Sequence, residues 1–328
     1  MITSRNPFRL SFFGGGTDYP IWYNNHPGAV LATSIDKYCY IHCRYLPPFF
    51  PYNYSLNYSK IENVKKISEI DHPAIRETLK FLRMKHGIAM QYDADLPARA
   101  GLGTSSAFTV GLLNALYGLN GEMTNKRQLA ENAIHIEQKM IKENVGSQDQ
   151  ITTAYGGFNK IEFSKQGFKV QPIILSAKKC ELLQNHLMLF FTGFSRNASD
   201  IAGEQIKKTP EKEEELTAMY EMVDKAIKIL KKPDITDFGR LLHDSWMIKR
   251  TITDKITTPT IDNIYNKAIT AGAIGGKLIG AGRSGFILFF VEPEKQNKVK
   301  KALNLLHVPF KFENTGSQII YYSPNLQS

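Results

Sequence analysis

Two glycines and three hydroxyl residues head an apolar run in Pro97-Ala98-Arg99-Ala100-Gly101-Leu102-Gly103-Thr104-Ser105-Ser106-Ala107. That composition suits an anion. β-forming residues from Met90 to Leu96 lead in, and Phe108, Leu112, Ala115, Leu116 and Leu119 continue at helical spacing, so the loop turns a strand into a helix. Glycines let backbone N–H groups converge on a phosphate, and the helix start adds unpaired donors and the positive end of a dipole. The hydroxyls reach a phosphate oxygen or a metal ion. No Gly-Lys-Ser/Thr closes the string, so it is not a Walker A loop, and the third glycine of a dinucleotide fingerprint would fall on Ser106. A tight turn with a Ser/Thr cap uses the same residue types, and only further motifs separate the two readings.

Two further segments do so. Near the start stands Asn6-Pro7-Phe8-Arg9-Leu10-Ser11-Phe12-Phe13-Gly14-Gly15-Gly16-Thr17-Asp18-Tyr19, and far downstream stands Lys277-Leu278-Ile279-Gly280-Ala281-Gly282-Arg283-Ser284-Gly285-Phe286. With the loop, they resemble the three motifs of the GHMP kinases, the superfamily of galactokinase, homoserine kinase, mevalonate kinase and phosphomevalonate kinase. The departures are Thr104 for a serine, Phe8 for a glycine, Gly15-Gly16 for Glu-His, and Arg283-Ser284 where small residues are usual.

The resemblance implies a phosphoryl transfer from ATP with Mg²⁺, which needs a cradle, a cation, an oriented hydroxyl and a proton acceptor. It assigns the cradle to Gly101, Leu102, Gly103, Thr104, Ser105, Ser106 and Ala107. Mg²⁺ falls to the hydroxyl of Ser105 or Ser106 and to Glu137, the proton to Asp149, and the developing charge to Arg9. Gly280, Gly282 and Gly285 are the glycines of the third motif. Without the motifs, Glu137 reads as a helix-surface residue near Lys139 or Lys142, and Asp149 as an Asx-turn aspartate.

For the acceptor, the resemblance points to a sugar held by Gly14, Gly15, Gly16, Thr17, Asp18 and Tyr19. Losing the side chains at positions 15 and 16 leaves room for a longer exocyclic arm, and successive glycine N–H groups offer donors to an anion on it. Together with Thr192-Gly193-Phe194-Ser195-Arg196 and His243-Asp244-Ser245-Trp246, the first motif resembles D-glycero-D-manno-heptose 7-phosphate kinases and, less closely, fucokinase domains. The implied partners are ATP and a sugar phosphate, with Arg196, Lys249 and Arg283 as candidates for its distant phosphate. A kinase of an unphosphorylated sugar needs no such cations, and a non-catalytic sugar- or nucleic-acid-binding relative would lose Asp149 or the loop.

The elements that must position these residues alternate along the chain without a doubly wound pattern. Strands are expected over 28 to 46, 90 to 96, 155 to 161, 187 to 191 and 286 to 291. Helices are expected over 72 to 86, 126 to 142, 203 to 231, 236 to 249, 260 to 271 and 294 to 305. The resemblance implies two α+β domains, 1–185 like ribosomal protein S5 domain 2 and 186–328 ferredoxin-like. A chain of 328 residues with 42% hydrophobic content can build both cores. The net charge of +10 favours anions of any kind, but the basic residues are interleaved with acids rather than gathered into a nucleic-acid stripe. Cys39, Cys43 and Cys180 form no Cys-x-x-Cys pair, the histidines lack metal spacing, and no apolar run is long enough to span a bilayer. The expected location is cytoplasmic; oligomeric state leaves no mark in the sequence.

Overall fold

A computed structural model describes residues 1–98, 101–193 and 198–323. Strand Ile2–Phe13 carries the first motif and is buried at nearly every position. Alternation along it sends Phe8, Leu10 and Phe12 into the core, while Arg9 and Ser11 reach the cavity described below.

Among the described residues the strands form a nine-stranded and a four-stranded sheet. In the larger one Ile2–Phe13 pairs with the long strand Gly28–Tyr45, whose first half also pairs with Phe158–Ser164 and whose second half pairs with Ile88–Ala94. The smaller sheet runs in the order Leu306–Val308, Leu187–Gly193, Gly285–Val291, Ala273–Leu278, with every pairing antiparallel. Numbered by sequence that order is fourth, first, third, second, the ferredoxin-like arrangement.

The sheets share a core. Phe12 of the first meets Phe238, on helix Thr236–Ile252, edge-to-face at 5.6 Å, and Phe13 meets the same ring at 5.1 Å. The second unit does not keep the whole C-terminal half, however. Strand Gln318–Tyr322 pairs with Ile2–Arg5, and Phe312–Glu313 with Ser34–Ile35, so a division at residue 185 assigns two strands of the first sheet to the wrong unit.

Helix Thr104–Leu119 is buried along most of its length. Several boundaries differ from expectation. The helix after Asn125 is α-helical over Lys126–His135 and widens to a π-helix over Ile136–Ile141. Residues Gln148–Tyr155 form a helix rather than a turn, despite the β-branched run Ile151-Thr152-Thr153. Burial overrides propensity there: Thr152 donates to the Gln148 carbonyl at 2.8 Å and Thr153 to that of Pro7 at 3.2 Å. The span 203 to 231 is split into Ala198–Lys208 and Glu213–Leu230 around a single turn containing Pro210. Cys39, Cys43 and Cys180 are free thiols.

Candidate active site

Strand Ile2–Phe13, helix Thr104–Leu119 and the third motif converge on a cavity of about 620 Å³ lined from both units. Gly103 caps the helix at φ +71°, and Gly101 sits at φ +85°. Only glycine fits this turn. A Cβ on Gly101 would lie 2.3 Å from the Ile279 carbonyl oxygen, and one on Gly280 would lie 2.5 Å from Gly101 Cα. The third motif therefore abuts the loop backbone to backbone. Gly282, at φ +141°, packs against Ile256 in the same way, and Gly285 opens the next strand.

Arg9 stitches this loop to helix Gln148–Tyr155. Its backbone N–H donates to Leu102 O at 3.1 Å and its Nη1 to Gly101 O at 2.8 Å. Nε and Nη2 grip Asp149 Oδ1 and Oδ2 at 2.7 and 2.8 Å, a bidentate pair with the carboxylate a quarter exposed to the cavity. Built on Gly103, a Cβ would stand 3.1 Å from Arg9 Cγ and 3.3 Å from Asp149 Oδ2, so the loop glycine rests directly on the pair.

Behind the loop, Ser106 Oγ donates to Glu137 Oε2 at 2.8 Å, and Gln150 Nε2 donates to the same oxygen. Glu137 is 1% exposed, at the start of the π-helix, and its Oε1 makes no hydrogen bond among the described residues. Burial pushes its carboxyl up to about 7, against the hydrogen bonds that Ser106 and Gln150 give to Oε2. An orphaned carboxylate oxygen beside a serine hydroxyl is a donor set that fits a hard divalent cation.

On the acceptor side, a Cβ on Gly14 would strike the Ala29 carbonyl oxygen at 1.9 Å, and Thr17 Oγ1 ties the turn to Gly14 O and Ala29 O. Asp18, 2% exposed, accepts from the backbone N–H of Gly16 at 2.9 Å and of Gln148 at 3.4 Å. Burial and the neighbouring Asp149 hold its carboxyl above the ordinary range against those bonds. The Gly16 N–H is thus engaged by Asp18, contrary to the expectation that it waits for an anion. Gly15 does leave space: nothing stands closer to a Cβ there than Gln148 Nε2 and Ser11 Oγ at 3.9 Å. Tyr19 lines the same cavity.

Of the three proposed cations, Lys249 reaches the cavity, with Nζ donating to Gly280 O at 2.5 Å. Arg283 is exposed, held at φ +67° by its N–H to Ile256 O, and is not on the cavity wall. Arg196 lies outside the described residues, as do Arg99 and Ala100 of the loop. Sequence reasoning missed Lys277, whose signal is a lone charge in the apolar strand Ala273–Leu278. It also missed an aromatic lobe at the loop's far side, where His72 and Phe108 lie 4.8 Å apart and Tyr92 meets Phe108 at 5.3 Å.

Known proteins resemble this chain over most of its length. Residues 67–157 match the GHMP kinases N terminal domain and residues 211–306 the GHMP kinases C terminal domain. A D-glycero-alpha-D-manno-heptose 7-phosphate kinase of Campylobacter jejuni is 30% identical over 317 residues, covering 92% of this chain and 93% of that one. A mevalonate kinase of Methanocaldococcus jannaschii is 26% identical, covering 76% of this chain and 78% of its own length. A crystal structure described as a D-glycero-D-manno-heptose 1-phosphate kinase from Bacteroides thetaiotaomicron superposes with a TM-score of 0.78 at 24% identity, covering 98% of this chain and all of that one. Among the described residues no helix is long and apolar enough to cross a membrane.

Proposed function

The chain belongs to the GHMP kinases, which use ATP to phosphorylate an alcohol group, and on that premise we propose that its acceptor is the anomeric C1 hydroxyl of D-glycero-D-manno-heptose 7-phosphate. It is a sugar kinase of the family. The product would be the 1,7-bisphosphate, a precursor suited to GDP-heptose and surface polysaccharide. The observation that carries the phosphosugar reading is the open space at Gly15 in a cavity that also holds buried ammonium groups. The name of the relative that is 30% identical supports the same choice.

In this reading the triphosphate lies on residues 101 to 107, with the base in the aromatic lobe of His72, Tyr92 and Phe108. Ser106 and Glu137 would hold Mg²⁺, which supplies charge neutralisation on the phosphates. Asp18 accepts from the ring hydroxyls. Both Asp149 oxygens accept from Arg9, yet each keeps a second lone pair for the C1 hydroxyl. As the C1 oxygen bonds to the γ-phosphorus, its proton passes to Asp149 and the bond to the ADP oxygen breaks. The Arg9 guanidinium then offsets charge on the transferring group.

A coupled ADP-release screen across hexoses, heptoses and their phosphates tests the assignment. Heptose 7-phosphate should exceed heptose, fucose and galactose in kcat/KM by at least about 10²-fold, the scale on which an unmade charged contact discriminates. A neutral sugar emerging as the best acceptor would overturn it.

A further inference from the structure

We propose that Lys277 and Lys249 together form the subsite that binds the phosphoryl group of the acceptor sugar. The inference rests on the phosphosugar reading above and assigns that group its cations.

The two side chains arrive from different elements, Lys249 from helix Thr236–Ile252 and Lys277 from strand Ala273–Leu278, and both end on the cavity wall. They are 8% and 3% exposed. Lysines that deep are ordinarily paired with carboxylates. Here, among the described residues, each ammonium donates to a single backbone carbonyl, Lys249 to Gly280 O and Lys277 to Phe12 O at 2.8 Å, and neither forms an ion pair. An ammonium has three N–H donors, so each keeps capacity for an acceptor that enters the cavity.

The surrounding charges leave this demand unmet. Arg9 adds a third positive charge, and Asp149 is already gripped by it. Asp18, the carboxylate whose charge acts on both lysines, accepts from two backbone N–H groups. The cations also disturb one another. Burial, then repulsion from Arg9, push Lys249 down to about 8, with Asp18 acting against them. Burial, Lys249 and Arg9 hold Lys277 well below its ordinary range, again opposed by Asp18. A dianion set between the two ammoniums would relieve both penalties at once. For Lys277, position favours the acceptor's phosphate over the nucleotide's, while Lys249 is anchored at Gly280, where the third motif abuts the phosphate loop. Lys277 is anchored at Phe12, in the strand that runs into the Gly14–Gly16 turn, and the unpartnered Ser11 Oγ and Gln148 Oε1 belong to the two residues flanking the open face of Gly15.

The test compares kcat/KM for heptose 7-phosphate with that for unphosphorylated heptose in the wild type, Lys277→Met and Lys249→Met. Methionine keeps most of the stem and removes the charge. The ratio should fall by about 10²-fold in each variant, the scale of truncating one partner of a buried charge pair. A ratio within threefold of wild type, with both substrates weakened together, would make the lysines ties between the sheets or nucleotide contacts and overturn the proposal. A wild type without preference for the phosphorylated sugar would instead overturn the functional reading itself.

A second measurement needs no variant. Calorimetric titration of the wild-type protein with heptose 7-phosphate at pH 8.5, in two buffers of different ionisation heat, should show proton uptake as the lysines recharge, and unphosphorylated heptose should show none. Binding of the phosphosugar without proton uptake would count against the two-lysine subsite.

Discussion

Asp149 meets Arg9 through both carboxylate oxygens, so Asp149→Asn replaces an acceptor by an amide nitrogen that faces a guanidinium donor. Turnover should drop by about 10²- to 10⁴-fold, the usual cost of losing a general base, while KM for ATP changes little. Steady-state kinetics with less than a tenfold loss would move proton transfer to another group. Gly15→Glu asks a different question. Space at that position lets the variant fold, and the new carboxylate would enter the part of the cavity assigned to a phosphate dianion. Charges about 4 Å apart at an effective dielectric near 20 repel by roughly 4 kcal/mol per pair, so affinity for heptose 7-phosphate should fall by orders of magnitude with ATP binding retained. An unaltered KM would put the exocyclic arm elsewhere. Arg9, Asp18 and Ser106 were legible because they stand in short motifs, and Glu137 and Asp149 because family likeness placed them; the structure sets Arg9, Asp18 and Asp149 on one cavity wall and pairs Ser106 with Glu137 behind the loop. Lys277 was not, since what distinguishes it is burial against Phe12, 265 positions away, and Gln150 was not, since nothing in its own segment marks its bond to Glu137.

At the scale of elements, the loop and its helix are coupled to the ion pair through Gly103. A valine there would force a β-branched residue to φ +71° and press its Cβ against Arg9 Cγ and Asp149. Gly103→Val should therefore weaken ATP binding, read by calorimetry, and lower kcat as the pair is displaced; unchanged ATP affinity in a folded variant would reduce the loop to a turn. The π-helix Ile136–Ile141 has its own consequence, because it sinks Glu137 out of water. With its carboxyl raised from the ordinary 4.5 to about 7, the folded state binds more protons than the unfolded one between those values. This contribution is fully present below about 4.5 and is lost as pH rises through 7, so it lowers the stability of the free protein across that window. A metal ion would bind the ionised form. Stabilisation by Mg²⁺-ATP, measured as the rise in Tm, should then grow between pH 5.5 and 8, and a flat difference would remove Glu137 from the metal site. The sequence pattern placed Glu137 on a helix but gave no sign of the widened turn, and it left helix Gln148–Tyr155 unseen because the residues that hold it are buried partners rather than helix formers.

For the molecule as a whole, the chain's return to its own beginning governs how it can be divided. Strand Gln318–Tyr322 pairs with Ile2–Arg5, Ser317 bonds Asn6 and Asn114, and Phe312 packs against Phe12 and Phe158. Pairings between residues more than 300 positions apart leave no local pattern, which is why the order of the second sheet was legible through family likeness while this closure was not. A fragment ending at residue 185 would lack those strands and would also expose Phe12 and Phe13, whose partner Phe238 lies beyond the cut. Each large buried side chain left in water forfeits about 1.5 to 3 kcal/mol, and several such losses rival the whole stability of a domain. We expect residues 1–185 expressed alone to show no cooperative thermal transition, whereas the same segment supplied with residues 186–328 as a separate chain should regain one and recover ADP release. A sharp, independent transition for the 1–185 fragment would mean that the C-terminal strands decorate a self-sufficient domain. The shared core around Phe12, Phe13 and Phe238 would then be an interface between two folded units rather than one core.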